Sequence, residues 1–152
     1  FERNARRGAL VDIGANVGHL MKPMVRIFAE PVMVASIGEV DPNTGDLCKD
    51  LNGKPILYAF EPNPDCLAEL DKIAARMKQA RIAVMPFAVA DTSGEMTFYH
   101  NGGGDQGGSL SRDVSSSRGF RNAKNDVVKV VSLDDFFKYS VFVHLLKIDA
   151  EG

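Results

Sequence analysis

Apolar residues from Ala9 to Ile13 make a short run interrupted only by Asp12 and ended by Gly14, the pattern of a strand entering a tight turn. Beyond Asn16 the spacing changes. Val17, Leu20, Met21, Met24, Val25 and Phe28 step by three and four, which lines one face of a helix. Pro23 lies inside that pattern and lacks the N–H that an inner helical residue contributes, so it predicts a kink or a later start. Residues 31–55 lose the rhythm. Turn signals at Asp41-Pro42-Asn43-Thr44-Gly45 and Asn52-Gly53 separate moderately apolar stretches, as in an inserted loop or hairpin.

A second strand is expected over Ile56–Phe60, followed by a helix with Asn63 as its cap and Pro64 at its first position. Leu67, Leu70, Ile73, Ala74 and Met77 give that helix its apolar face. Residues 82–90 read as a third strand running into the turn Asp91-Thr92-Ser93-Gly94, and Glu95–Tyr99 alternates like a fourth, more exposed one. Residues 101–126, rich in Gly, Ser and Asn, predict a flexible loop. Order resumes at Val127–Val131, after which Ser132 and Asp135 form a capping box with Asp in place of the usual Glu. Val141–Asp149 is nearly continuous in its apolar character, which predicts burial on both faces, as in a parallel sheet. Strands alternating with helices, plus one hairpin-like pair, imply a single domain built on an open α/β sheet whose ligands bind at the carboxyl ends of the strands.

Composition narrows the partners. With 152 residues, 45% hydrophobic and 25% charged, the chain is sized for one domain. A net charge of −2 supplies no basic field, so nucleic acid is not expected as a partner. Cys48 and Cys66 allow at most one disulfide, no cysteine or histidine spacing fits zinc, and no metal site is expected. The apolar stretches are broken by Asp12, Asn16 and Lys22 and closed by Lys147 and Asp149, so no membrane span is expected. The chain opens at Phe1 and closes on Ala150-Glu151-Gly152 directly after a strand, the pattern expected of a portion of a longer protein.

Candidate chemistry gathers at the strand ends. Gly14 and Gly18 would allow a tight turn and close approach to a ligand, beside helix-start N–H groups that attract carboxylate or phosphate. The spacing lacks the G-x-G-x-x-G of dinucleotide enzymes, which counts against a nicotinamide cofactor. Glu61, closing the second strand, is placed to accept from both hydroxyls of a ribose or to stand as a solvated strand-end acid. The interval from the glycine turn to Glu61 exceeds the roughly 20 residues of a compact unit, and the insertion at 31–55 accounts for the excess. Asp91 fits two readings, an acceptor for an adenine amino group or a turn residue bonding its own backbone. Asp149 and Glu151 bring two alternately spaced carboxylates to the mouth of the expected site, suited to taking a proton, to balancing a sulfonium charge or to capping a helix.

Four segments, VDIGANVG, YAFEP, FAVADTSG with EMTFY, and VVSLDDFF with LLKIDAEG, resemble in sequence and order the motifs of FkbM-type S-adenosylmethionine-dependent methyltransferases. The resemblance implies a class I, Rossmann-like fold with a mostly parallel twisted sheet, incomplete here at its C-terminal side. It implies S-adenosylmethionine as cofactor, held at its methionine portion by Asp12, Gly14, Asn16 and Gly18, at the ribose by Glu61 and near the adenine by Asp91. Asp149 and Glu151 fall on the Asp-x-Glu-Gly signature beside the transferable methyl group, and Ser109-Leu110 resembles an element near the active-site mouth. The activity implied is O-methylation of a hydroxyl on a sugar or other small-molecule acceptor. The rival expectations are a cofactor-binding or interaction module without transferase activity and a nicotinamide-dependent oxidoreductase.

Overall fold

The computed structural model describes residues 8–28, 39–40, 47–48, 56–78, 80–101, 108–113, 124–138 and 142–150. Strands β1 (Gly8–Ile13), β4 (Ile56–Phe60), β5 (Arg81–Met85) and β9 (Phe142–Ile148) form a four-stranded parallel sheet in the order β5-β4-β1-β9. A second, three-stranded sheet contains β6 (Phe87–Val89), β8 (Lys124–Val131) and β7 (Gly94–His100), with β6 parallel and β7 antiparallel to β8. Two-residue strands β2 (Glu39–Val40) and β3 (Leu47–Cys48) pair antiparallel, in keeping with a hairpin within 31–55; the rest of that segment lies outside the described residues.

Period-two alternation divides the parallel sheet into two faces. Leu10, Leu57 and Ala59 face helices α1 (Met21–Phe28) and α2 (Pro64–Arg76), burying against Met21, Met24, Val25 and Leu70. On the opposite face Ala9, Val11, Ile13 and Phe60 pack against Phe87, Val89, Val131 and the short helix α3 (Leu133–Phe136). Phe136 meets Phe60 and Tyr58 edge-on at ring separations of 5.0 and 5.6 Å. Burying Leu10, Val11, Ile13, Leu57 and Phe60 contributes roughly 1.5–3 kcal/mol each, so both faces of β1 and β4 are held strongly.

The local signals explain the boundaries. Asn63 accepts a hydrogen bond from the Asp65 N–H at 3.0 Å and Pro64 begins α2, as its sequence predicts. Ser132 accepts from the Asp135 N–H at 3.1 Å, and Ser93 receives the Ser132 N–H while bonding the Asp135 carboxylate. Those hydroxyl contacts, Ser93's foremost, hold the exposed Asp135 carboxyl below its ordinary pKa. Of the kink and the later start that Pro23 predicts, helix α1 takes the later start, at Met21, so Pro23 lies in the first turn, where a missing N–H costs no intrahelical bond.

Three expectations need correction. The strand expected over 82–90 is two strands: Pro86 interrupts the ladder, and the chain passes from the edge of the parallel sheet into the second sheet. The strand expected at 127–131 begins at Lys124, so residues 124–126, assigned to the flexible loop, are paired with 98–100 on β7. The last strand is not buried on both faces: β9 pairs only with β1 among the described residues, and its Val143, Leu146 and Ile148 are exposed. A continuous apolar run records hydrophobicity, and the strand's place in the sheet decides how much of it is covered.

Candidate functional site

The carboxyl ends of β1, β4 and β9 lie side by side, and the turns that follow them form one wall of a cavity of about 310 Å³. That volume falls in the range of small-molecule sites. Gly14 and Asn16 follow β1, Glu61 and Asn63 follow β4, and Asp149 and Ala150 follow β9. The opposite wall is largely apolar and comes from the second sheet, with Phe87, Ala88, Val89 and Phe98, and from Leu110; His19 and Leu20 close the α1 side.

The turn after β1 is held in an unusual backbone conformation. Gly14, Asn16 and Gly18 have φ of 75°, 49° and 78°, a left-handed region that Gly enters freely and Asn tolerates. Gly14 and Ala15 donate their N–H groups to the Phe60 carbonyl, each at 3.0 Å, which ties the turn to the end of β4. Gly14 meets a second demand from β9. A Cβ there would stand 2.3 Å from the Asp149 carbonyl oxygen, while the Asp149 N–H donates to the Ile13 carbonyl at 3.0 Å. Gly18 serves packing instead of the cavity, because a Cβ on it would meet Met21, Ile73 and Leu70.

Glu61 is buried, with its carboxylate in the cavity wall. One oxygen accepts the Asn16 N–H at 2.7 Å and the other accepts the Asn63 N–H at 2.8 Å. Each carboxylate oxygen keeps further lone-pair capacity, so both can accept a hydroxyl without giving up the backbone bond. Burial pushes the Glu61 carboxyl above its ordinary pKa; the Asn63 and Asn16 N–H groups and the Lys147 ammonium pull the other way.

Asp12 lies below the cavity floor. Alternation puts it on the Leu10 face of β1 and Lys147 on the Leu145 face of β9, and the two residues are register partners. Lys147 Nζ stands 2.9 Å from Asp12 Oδ1 and 3.8 Å from Asp149 Oδ2, and donates to the Gly14 carbonyl at 2.7 Å. The lysine contact is an ion pair, and no hydrogen bond reaches either Asp12 oxygen among the described residues. Desolvation raises the Asp12 carboxyl above its ordinary pKa, Lys147 opposes that shift and the Asp149 charge adds to it.

Of the residues predicted from sequence, the cavity gathers Gly14, Asn16, Glu61 and Asp149. Asp12 contacts it only through Lys147, Gly18 faces the core, and Glu151 lies outside the described residues. Asp91 is exposed, bonds the Thr92 hydroxyl at 3.3 Å and does not line the cavity. Ser109 and Leu110 do line it, beside the Ser109–Tyr99 bridge. Sequence reasoning passed over Lys147 and Asn63 as site residues. A lysine closing an apolar strand was the available signal for Lys147, but its partnership with Asp12 depends on strand register. For Asn63 the capping role was visible and its N–H bond to Glu61 was not.

Among the described residues, no helix is long and apolar enough to cross a membrane. The family model of the methyltransferase FkbM domain matches residues 12–152, which takes in every residue that lines the cavity. No curated protein and no solved structure matches the chain.

Proposed function

Because the chain belongs to the FkbM methyltransferase family, we propose that it uses S-adenosylmethionine to methylate a hydroxyl oxygen on a sugar or other small-molecule acceptor, in the cavity at the carboxyl ends of β1, β4 and β9. The observation that carries the cofactor half of this reading is Glu61: a buried carboxylate, fixed by two backbone N–H groups, with both oxygens still able to accept from vicinal hydroxyls. The apolar wall of Phe87, Val89, Phe98 and Leu110 fits a flat heteroaromatic ring, and the Gly14–Asn16 turn fits the polar amino-acid end of the same molecule. When bound, S-adenosylmethionine supplies an electrophilic methyl group on a sulfonium.

The protein's own contribution is positioning and proton management. Asp149 lines the cavity with its side chain 71% exposed, available to an incoming acceptor. Its carboxylate orients the acceptor hydroxyl and takes its proton. Glu61 and Asn16 hold the cofactor and take no part in proton transfer. Glu151, the second acid of the Asp-x-Glu-Gly signature, is the alternative proton acceptor.

Calorimetric titration of S-adenosylmethionine, followed by turnover across a panel of sugar and small-molecule alcohols, tests the reading. Saturable binding is expected, and Asp149→Asn should cut kcat about a hundredfold while leaving cofactor affinity within about threefold. Wild-type turnover in Asp149→Asn would remove Asp149 from its role, and NADH binding without S-adenosylmethionine binding would replace the cofactor.

A further inference from the structure

We infer that Asp12 acts as the buried counter-ion of Lys147, cancelling a cation in the cavity wall so that the site accepts a positively charged cofactor; the inference rests on the S-adenosylmethionine reading above. Lys147 lines the cavity, yet its side chain is only 18% exposed, so its charge is poorly screened by water. That charge has a structural task, since the ammonium donates to the Gly14 carbonyl at 2.7 Å and lies 3.4 Å from the Ile13 carbonyl, binding the end of β9 to the turn after β1. A lysine fastening a glycine turn in this way places a positive charge beside the proposed binding position of a sulfonium. Asp12 answers that charge from beneath. Its side chain is fully buried, 2.9 Å from Lys147 Nζ, and Lys147 is the sole partner of its carboxylate among the described residues. A buried carboxylate that no other group reaches and that has no place in the cavity lining has one evident task, to neutralise the lysine. Asp149, at 3.8 Å and largely in solvent, is too screened to do so alone. Asp12 is therefore a positioning residue acting through Lys147.

The charge difference between two otherwise similar ligands exposes this role. S-adenosylmethionine carries one more positive charge than S-adenosylhomocysteine, which has the neutral thioether. The ratio of their affinities therefore reports the field in the cavity, whereas loss of general structure weakens both alike. Titration calorimetry with each ligand on wild type, Asp12→Asn, Lys147→Met and the double variant is the experiment. Asp12→Asn should lower affinity for S-adenosylmethionine about tenfold more than for S-adenosylhomocysteine, on the order expected for one uncompensated charge across a partly buried site. The double variant should return the ratio to within about threefold of wild type. Lys147→Met should leave the ratio unchanged or shift it toward S-adenosylmethionine, which keeps the inference testable if Asp12→Asn does not fold. Equal weakening of both ligands in Asp12→Asn, or a ratio that moves against S-adenosylmethionine in Lys147→Met, overturns the inference while leaving the cofactor reading intact. Wild type binding neither ligand overturns both.

Discussion

The two sheets meet at one cavity and contribute different things to it. The parallel sheet delivers polar groups: its turns supply Glu61 with two backbone donors, the Gly14–Asn16 loop, and Asp149 beside Lys147. The second sheet delivers surface: Phe87, Val89 and Phe98 face the cavity as an apolar wall, and its own polar pair, the buried His100 with the half-exposed Asp126 at 2.7 Å, lies outside the lining. Parallel strands end with their carboxyl ends together, which concentrates turns and their unpaired N–H groups at one edge. A mixed sheet alternates its strand ends and offers side-chain faces instead. Sensitivity to mutation is therefore expected to concentrate in the turns of the parallel sheet.

The largest effect is expected at the seam between β1 and β9. Gly14→Ala combines a left-handed backbone with a 2.3 Å approach to the Asp149 carbonyl, and should destabilise the fold by about 3 kcal/mol or more in urea unfolding, with loss of ligand binding. A change below about 1 kcal/mol would mean that the two strand ends are not locked together. Next comes Glu61→Gln. Its amide has one oxygen where two backbone donors need acceptors, so S-adenosylmethionine affinity should fall about tenfold or more by calorimetry.

Glu61 also has a pH signature. Its folded-state pKa is raised above the ordinary value of 4.5, so the folded chain holds that proton more tightly than the unfolded chain does. The resulting contribution to stability is present below pH 4.5 and is lost as pH rises through the folded value. Glu61→Gln removes that loss, so the stability of the variant relative to wild type should increase between pH 4 and pH 7. A relative stability that fell over that interval would contradict the burial argument.

The smallest effect belongs to the second sheet. Asp126→Asn keeps an acceptor for His100, and the Asp126 side chain is 45% exposed, so the cost should be about 1 kcal/mol or less, with S-adenosylmethionine affinity within twofold of wild type. An equal loss of binding in Asp126→Asn and Glu61→Gln would erase the contrast between the sheets.

Much of this was legible because local chemistry marks it. The Asn63-Pro64 start of α2, the Ser132–Asp135 cap and the strand-ending Glu61 each need only a few neighbouring residues to be recognised, and each occupies its expected place. The motif segments that resemble the FkbM family carried the functional class as well. What local pattern could not carry was register and sheet membership. Lys147 gains its meaning from pairing with Asp12 across two strands, and Pro86 divides an apolar run between two sheets. The apolar character of β9 could not tell which of its residues would stay exposed among the described ones, and Gly18, so close to Gly14 in sequence, turns toward α1 and α2 instead of the cavity.

The lysine fastening also sets a timetable. Lys147 and Ile13, whose carbonyl lies 3.4 Å from the lysine ammonium, are 134 residues apart along the chain, so fixing the turn after β1 depends on one of the longest loop closures among the described residues. During synthesis, β1, β4 and α2 emerge long before β9, and until Asp149 has left the ribosome the turn after β1 lacks the strand that immobilises it. A chain that carries β1, β4 and α2 without β9 is thus expected to lack a fixed turn after β1, and the cavity takes its form only when β9 docks.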